Sequence, residues 1–428
     1  MSKNALVIGA GYMGKIIAKA WKELGFHVYL MDVIDKDVIY ETVGGRMEPR
    51  TNNRREFASS LNLDFILMSI DLEKQCDEIF QLAQNCEVVS IASPTQFHIH
   101  HLNAVLKSGV KRILVEKPIC LTKNDLALLD RNLIKQKGVF IAVNFIERAH
   151  PTFEAVKNFL RNPNTPWTHD HIFKDGLFWR QQDMRDYMRN KKCPPDHPWG
   201  FLRDSSHDVS EIHGLFRSVL PGTSILPVET ASFRKWHEKY TEEVFQHPGD
   251  YACEVVFGSS DFVDAKYIVR GAKDNDELRR YFVLYNNTTF VFCSTLPRPN
   301  LGITPCVWIS RFHPRLLALA FSDSPYQTFP MKNDEVKKLL EQYNGYEIPV
   351  TPSNPQVRMC QNLLNATSSH ELYCSFQDGL DIDAMVMNAY EHAGILVENI
   401  ATQATDLPHN ADDPLAIRSY AHDGDGIC

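Results

Sequence analysis

The chain is 428 residues long, 44% hydrophobic and 23% charged, with a net charge of −8 and a pI of about 6.1. This is ordinary globular composition for two or three domains, with enough apolar residues for a core that needs no metal or disulfide staple. With no basic stripe, no aromatic RNA-binding motif and no stretch as long as a membrane span, nucleic acid and membrane are both excluded as expected partners. The ten cysteines are scattered, no two within three residues of each other, which excludes a zinc pattern and a redox CxxC. Thiols in that number, with an N-terminal apolar run (Ala5–Ile8) too short for a signal sequence, predict a cytoplasmic protein.

In chain order, a β-rich run at 5–9 is followed by a helical pattern at 13–25 ending on glycine. Apolar strands follow at 27–32, 64–70, 86–92, 111–116 and 139–145, separated by helical stretches near 71–85, 96–109 and 122–137. A polar excursion, 44–63, interrupts the alternation. Near-continuous apolar strands divided by helices predict a parallel sheet covered on both faces. After about residue 150 the texture changes. A helix at 151–161 leads into polar, aromatic segments up to about 203, then a helical stretch at 208–219. Strand-like runs near 225–235, 250–257, 261–270, 279–286 and 288–294 predict a mostly antiparallel sheet, with Asn286 and Asn287 near a hairpin turn. Segment 296–330 has no clear pattern, 381–398 is helical, and 403–428 is a loose polar tail. The expected architecture is α/β: an N-terminal Rossmann dinucleotide-binding domain over 1–148, a C-terminal α/β domain with a large, mostly antiparallel open sheet over 149–402, and the tail.

The run Gly9-Ala10-Gly11-Tyr12-Met13-Gly14 places GxGxxG directly after a strand and at the opening of a helix. In that context Gly9 permits the tight turn, Gly11 lets the backbone approach a pyrophosphate, and Gly14 allows close helix–strand packing. The helix N-terminus supplies N–H groups and a positive dipole end. Asp32 ends the second strand, where a carboxylate accepts both ribose hydroxyls and repels a 2′-phosphate. Val33 and Ile34 follow, so no arginine stands beside it in sequence. The expected cofactor is NAD rather than NADP.

At the ends of the fourth and fifth strands stand Ser93-Pro94-Thr95-Gln96-Phe97-His98 and Glu116-Lys117-Pro118, where ligands of open α/β sheets sit. Further on, Leu202-Arg203-Asp204-Ser205-Ser206-His207-Asp208 precedes a helix. With the glycine turn, these segments resemble the signatures of the Gfo/Idh/MocA oxidoreductase family, in order and spacing, across roughly residues 4–220. VNFIERAHP (143–151) is similar to that family's entry into its substrate domain. The resemblance implies a pocket between domains, with Lys117 and His207 facing the substrate carbon that exchanges hydride. It carries cofactor contacts onto Gly9, Gly11, Tyr12, Met13, Gly14, Asp32, Ser93, Pro94, Thr95, His98, Glu116 and Lys117. Ser93 and Thr95 line the nicotinamide ribose, and His98, taken by itself, reads as a structural or peripheral histidine. Chemistry suits the two central residues: histidine titrates near neutral pH and can take a hydroxyl proton, while an ammonium stabilises a developing alkoxide. Asp204 orients His207, binds a second hydroxyl, or simply caps the helix. The position three residues after His207, often Asp in the family, is Ser210 here, with Glu211 beside it.

Trp179, Arg180, Arg185, Arg189, Trp199 and Arg203, with Glu147 and Arg148, fit a sugar-like ligand: aromatic faces stack on sugar rings, and arginines bind carboxylate or phosphate bidentately. Expected substrate contacts are Lys117, Arg148, Trp179, Arg180, Arg203 and His207; no metal is expected. Three classes stay open: an NAD-dependent dehydrogenase or reductase of a sugar, cyclitol, sugar acid or nucleotide sugar; an enzyme that retains NAD for transient oxidation in epimerisation, elimination or glycoside cleavage; and a non-catalytic NAD-binding sensor. Val255, Val256, Phe257, Phe262 and Val263 exceed what one buried sheet face needs, which predicts a homodimer or homotetramer through the open face.

Overall fold

The computed structural model describes residues 3–43, 46–120, 123–136, 138–162, 175–181, 206–219, 226–235, 250–258, 266–272, 279–294, 305–316 and 333–394. Its first half is built on β1 (Asn4–Ile8), β2 (His27–Asp32), a ribbon of β3 (Lys36–Val43) and β4 (Arg46–Asn53), then β5 (Asp64–Leu67), β6 (Val88–Ile91), β7 (Arg112–Val115) and β8 (Phe140–Val143). Six of these form a parallel sheet in the order β5-β2-β1-β6-β7-β8. The chain winds outward from β1 to β2 and β5, then crosses back to β6, so the switch point lies between β1 and β6. Helices α1 (Tyr12–Glu23), α3 (Leu72–Ala83) and α4 (His98–Lys107) cover the sheet, as the alternating pattern predicts. Strands β1 and β6 carry near-unbroken buried runs because helices pack on both sides.

Two local expectations change. The polar excursion is a two-stranded antiparallel ribbon, β3 with β4, followed by the short helix α2 (Arg54–Ser60). The stretch 122–137 is two short helices, α5 (Lys123–Ala127) and α6 (Arg131–Ile134), because Asp130 accepts a bond from the Asn132 N–H and starts a new helix.

The second half adds α7 (Pro151–Arg161), β9 (Asp175–Gln181), α8 (Ser206–Val219), β10 (Val228–Lys235), β11 (Asp250–Phe257), β12 (Lys266–Ala272), β13 (Arg279–Tyr285), β14 (Thr289–Ser294) and β15 (Cys306–Arg311). Helix α9 (Asn333–Gln342), β16 (Tyr346–Ile348), α10 (Pro355–Asn365) and α11 (Phe376–His392) complete it. The eight strands run β10-β11-β12-β9-β13-β14-β15-β16, antiparallel except where β9 meets β12. Neither β9, which lies mid-sheet, nor β15 and β16 had a readable strand pattern.

Alternate residues of β13, β14 and β15 feed two cores. Phe282, Leu284, Val291, Cys293, Val307 and Ile309 join the main core, while Tyr281, Val283, Phe290, Phe292 and Trp308 pack with Leu340 of α9. Here the second face is covered by the chain itself. Val255, Val256 and Phe257 are likewise buried, so these three do not form the exposed patch expected of a subunit interface; Phe262 and Val263 lie outside the described residues.

Two late helices return to the first sheet. Val357, Met359, Cys360 and Leu363 of α10 share a core with Ile17 and Trp21 of α1. Just before α11, the Cys374 carbonyl accepts the Val143 N–H at 2.9 Å at the end of β8. Among the described residues no helix is long and apolar enough to cross a membrane, all eight cysteines are free, and no group of side chains could hold a metal ion.

Candidate active site

The glycine turn is locked by backbone rather than by side chains. Gly9 has φ +95°, and a Cβ there would lie 2.4 Å from the Ala92 carbonyl oxygen. A Cβ on Gly14 would lie 1.8 Å from the Gly9 carbonyl oxygen, so helix and strand touch at this point. Around Gly11 the situation is reversed: a Cβ would meet nothing within 4 Å. Open space over an N-cap glycine, with the first N–H groups of α1 lacking intrahelical acceptors, is the cradle a pyrophosphate requires. Tyr12 is highly exposed at its edge and Met13 partly so. These residues fit the dinucleotide that the motif implies.

Asp32 is buried at the end of β2. Its Oδ2 accepts the Ala10 N–H at 2.7 Å and Arg54 Nε at 3.0 Å, and its Oδ1 accepts the Ile34 N–H at 3.3 Å. The expectation that no arginine stands beside Asp32 is corrected here: Arg54, the first residue of α2, is delivered by the β3–β4 ribbon and pairs with the carboxylate in a buried contact. Ile34, two residues after Asp32, and Leu67 and Ile70 at the end of the neighbouring β5 expose apolar side chains; sequence reasoning singled out neither of the last two.

The ends of β6, β7 and β8 are cross-tied. Ser93 Oγ hydrogen-bonds His101 Nδ1 at 3.0 Å, Thr95 is buried in the following turn and Pro94 is exposed. His98 is buried, its ring nitrogens against the Ser93 carbonyl at 2.8 Å and the Pro118 carbonyl at 2.9 Å; burial lowers its pKa. It therefore links the 93–98 segment to the Lys117-Pro118 segment, its structural reading. The Lys117–Pro118 peptide is cis, and the Ile119 N–H donates to Asp383 Oδ2 of α11 at 3.0 Å. Lys117 is partly exposed, whereas Glu116 before it is buried. Asn144, at the end of β8, donates through Nδ2 to Glu116 Oε1 and exchanges amide bonds with Gln356 of α10 at 3.1 Å.

Burial pushes the Glu116 carboxyl up to about 7, against an ordinary 4.5. The folded protein then keeps a proton that the unfolded chain has lost, so stability declines as pH rises from about 4.5 to about 7. Glu116→Gln removes that decline. Its gain over the unmodified chain is expected to grow between pH 5 and 8, to on the order of 3 kcal/mol. Thermal unfolding at both pH values checks this, and an equal difference at both would refute it.

His207 stands in the first turn of α8, with Nδ1 against Glu147 Oε2 and the Phe145 ring edge-on at 5.7 Å. Both partners come from the exit of β8, the segment that also carries Asn144, so one short stretch touches both the Glu116-Lys117 segment and His207. Asp204, expected to orient His207, bind a second hydroxyl or cap the helix, lies outside the described residues, as does Arg203. Among the described residues, Glu147 is the carboxylate at His207 Nδ1; sequence reasoning named it only within VNFIERAHP and beside the proposed sugar-binding residues. Arg148, an expected substrate contact, is tied into the fold. It is 2% exposed, and its guanidinium donates to the Ser210 and Tyr373 carbonyls and contacts His213 Nδ1 at 2.8 Å. Those contacts clamp α8 to the segment before α11. Trp179 and Arg180 lie in β9, in register with Arg270 and Gly271 of β12 and with Tyr281 and Arg280 of β13.

Residues 3–145 match the family model described as GFO_IDH_MocA, an oxidoreductase family with an NAD-binding Rossmann fold. No curated protein matches the chain. Among solved structures, the UDP-N-acetylglucosamine 3-dehydrogenase GnnA from Acidithiobacillus ferrooxidans aligns with TM-score 0.59 and 13% identity, over 94% of this chain and 99% of that one. A levoglucosan dehydrogenase in complex with NADH and levoglucosan aligns with TM-score 0.59 and 13% identity, over 92% and 98%. KijD10, a 3-ketoreductase from Actinomadura kijaniata in complex with NADP, aligns with TM-score 0.58 and 12% identity, over 90% and 96%. At these identities the likeness is one of fold, and it spans both sheets.

Proposed function

From a first domain that belongs to the Gfo/Idh/MocA oxidoreductases, we propose that this protein is an NAD-dependent enzyme of a sugar-like substrate, interconverting a hydroxyl and a keto carbon. Support comes from one observation above the others: the Glu116-Asn144 contact and the Glu147-His207 contact are made from one short segment, beside the strand ends that carry the glycine turn. Bound at that turn, a nicotinamide dinucleotide supplies the acceptor or donor of hydride. The chain's own part is proton and charge management. His207 takes the hydroxyl proton, and the Lys117 ammonium holds the same oxygen and stabilises alkoxide character as it develops. Asp204, Arg203, Trp179 and Arg180 belong to the proposed substrate side. The three solved neighbours are by name a UDP-N-acetylglucosamine dehydrogenase, a levoglucosan dehydrogenase and a 3-ketoreductase, which favours a sugar-like substrate here. The division at residue 148, a cytoplasmic setting and a homodimer or homotetramer remain part of the reading.

Incubation with NAD and a panel of free sugars, cyclitols, sugar acids and nucleotide sugars tests it. Reduced cofactor accumulating in step with one member is the expected result. Product without net reduced cofactor would indicate retained NAD and transient oxidation instead; dinucleotide binding with no turnover of any panel member would favour a sensor.

NAD is expected to bind about tenfold or more tightly than NADP, since Asp32 opposes a 2′-phosphate, a like-charge contact costing ~1 kcal/mol or more. Arg54 offsets part of that charge, so Arg54→Leu should widen the margin by weakening NADP further. Calorimetric Kd values decide it. Tighter NADP binding by the unmodified chain would mean that Arg54 serves the phosphate and Asp32 does not exclude it.

A further inference from the structure

We propose that Glu147 is a positioning residue for His207: it holds the Nδ1 proton, and thereby makes Nε2 the nitrogen that exchanges a proton with substrate. The inference rests on the reading of His207 as the proton-transfer group. Four observations carry it. Glu147 is 5% exposed, and a carboxylate is seldom buried without a partner that uses it. Its Oε2 faces His207 Nδ1, and His207 is only partly exposed, so water screens the contact little. The glutamate sits on the short helical turn Ile146–Ala149, whose next residue, Arg148, is anchored to the Ser210 carbonyl of α8 at 2.9 Å. Carboxylate and imidazole are therefore placed by one rigid junction between the turn and α8. Finally, Phe145 packs edge-on against the ring and limits its rotation.

An imidazole has two nitrogens, and only the one without a proton can accept one. A carboxylate on Nδ1 selects the Nδ1–H tautomer, orients the ring, and stabilises the imidazolium formed when Nε2 takes the hydroxyl proton. In the reverse direction the proton leaves Nε2 for the alkoxide and the Glu147 contact is kept, so no proton need pass to the glutamate. This is the division of labour of a base and its orienting acid in other proton-transfer sites.

The test reads the imidazole itself and needs no substrate. The full chain, labelled with 15N-histidine, is titrated by NMR, and the His207 signals are identified by their loss in His207→Gln. In the unmodified protein the neutral ring is expected as the Nδ1–H tautomer. In Glu147→Gln its pKa should fall by about one unit, because the carboxylate that favoured the charged form is gone, and the tautomer preference should weaken. Arg148, Asp208, Glu211, His213, Asp378 and Asp381, the other charged groups on the turn, α8 and α11, are present in both proteins, so the difference isolates Glu147. Glu147→Asp keeps the charge one methylene further away and should shift the pKa less, in the same direction; it also serves if the glutamine variant does not fold. An unchanged pKa and tautomer in both variants would overturn the proposal while leaving His207 as a base. Separately, His207→Ala with unimpaired turnover would remove the reading on which it rests.

Discussion

Lys117→Ala is expected to leave NAD affinity within about threefold of the unmodified chain and to lower turnover by ~10²-fold or more, the scale of one positioned electrostatic donor. The ammonium belongs to a segment held from three sides: by Glu116 to Asn144, by the Pro118 carbonyl to His98, and by the Ile119 N–H to Asp383. Removing the side chain beyond Cβ leaves those ties in place, so the loss reports chemistry rather than a collapsed loop. His207→Ala should cost ~10²- to 10⁴-fold through lost general acid–base catalysis, and should remove the near-neutral limb of the pH–rate profile. If both groups act on one oxygen, the double variant loses less than the product of the two factors. Steady-state kinetics on the substrate found by the panel, with cofactor affinity measured alongside, provides the check. Normal turnover by both variants would withdraw the assignment and move weight to the sensor reading. A dead lysine variant beside a normal histidine variant would make Lys117 the proton-transfer group.

Gly14→Ala and Gly11→Ala form the second pair, and they should fail in different ways. The Gly14 Cβ would overlap the Gly9 carbonyl, and Gly9 is tied in place by its N–H bond to the Met31 carbonyl at 2.8 Å. The strand–helix junction must open, with an expected stability loss of ~1–3 kcal/mol, as for other overpacked sites, and loss of measurable NAD binding. At Gly11 the Cβ enters open space, so the protein without cofactor should lose no more than about 1 kcal/mol, the scale of an N-cap change. NAD binding should nevertheless fall at least ~10-fold, because that space is where the pyrophosphate meets the backbone. Thermal unfolding and calorimetry separate the two effects. Full NAD affinity in Gly11→Ala would sink the assignment of this cradle to the pyrophosphate.

Much of the first domain could be read without a structure, because its determinants are short-range. The apolar runs of β1, β2, β6, β7 and β8, the glycine turn, and Asp32 at a strand end are set by residues within one turn or one strand. For the same reason the strands of 228–294 were legible, whereas β9, which precedes them, was not. Asp175–Gln181 is a strand because β12 and β13 flank it, and pairing partners that far away leave no local mark. The same limit governs the site. Residue types at 117 and 207 suggested proton and charge chemistry, but Arg54 reaches Asp32 only through the β3–β4 ribbon. Glu147 meets His207 only when α8 packs against the exit of β8, and Gln356 joins Asn144 only because α10 folds back onto the first sheet. Sequence reports the charge of Arg148, whereas its burial among carbonyls and His213 is decided by packing. Local periodicity and turn chemistry determine which elements form, whereas which charged groups end up neutralised, buried or facing one another depends on contacts made across the whole chain.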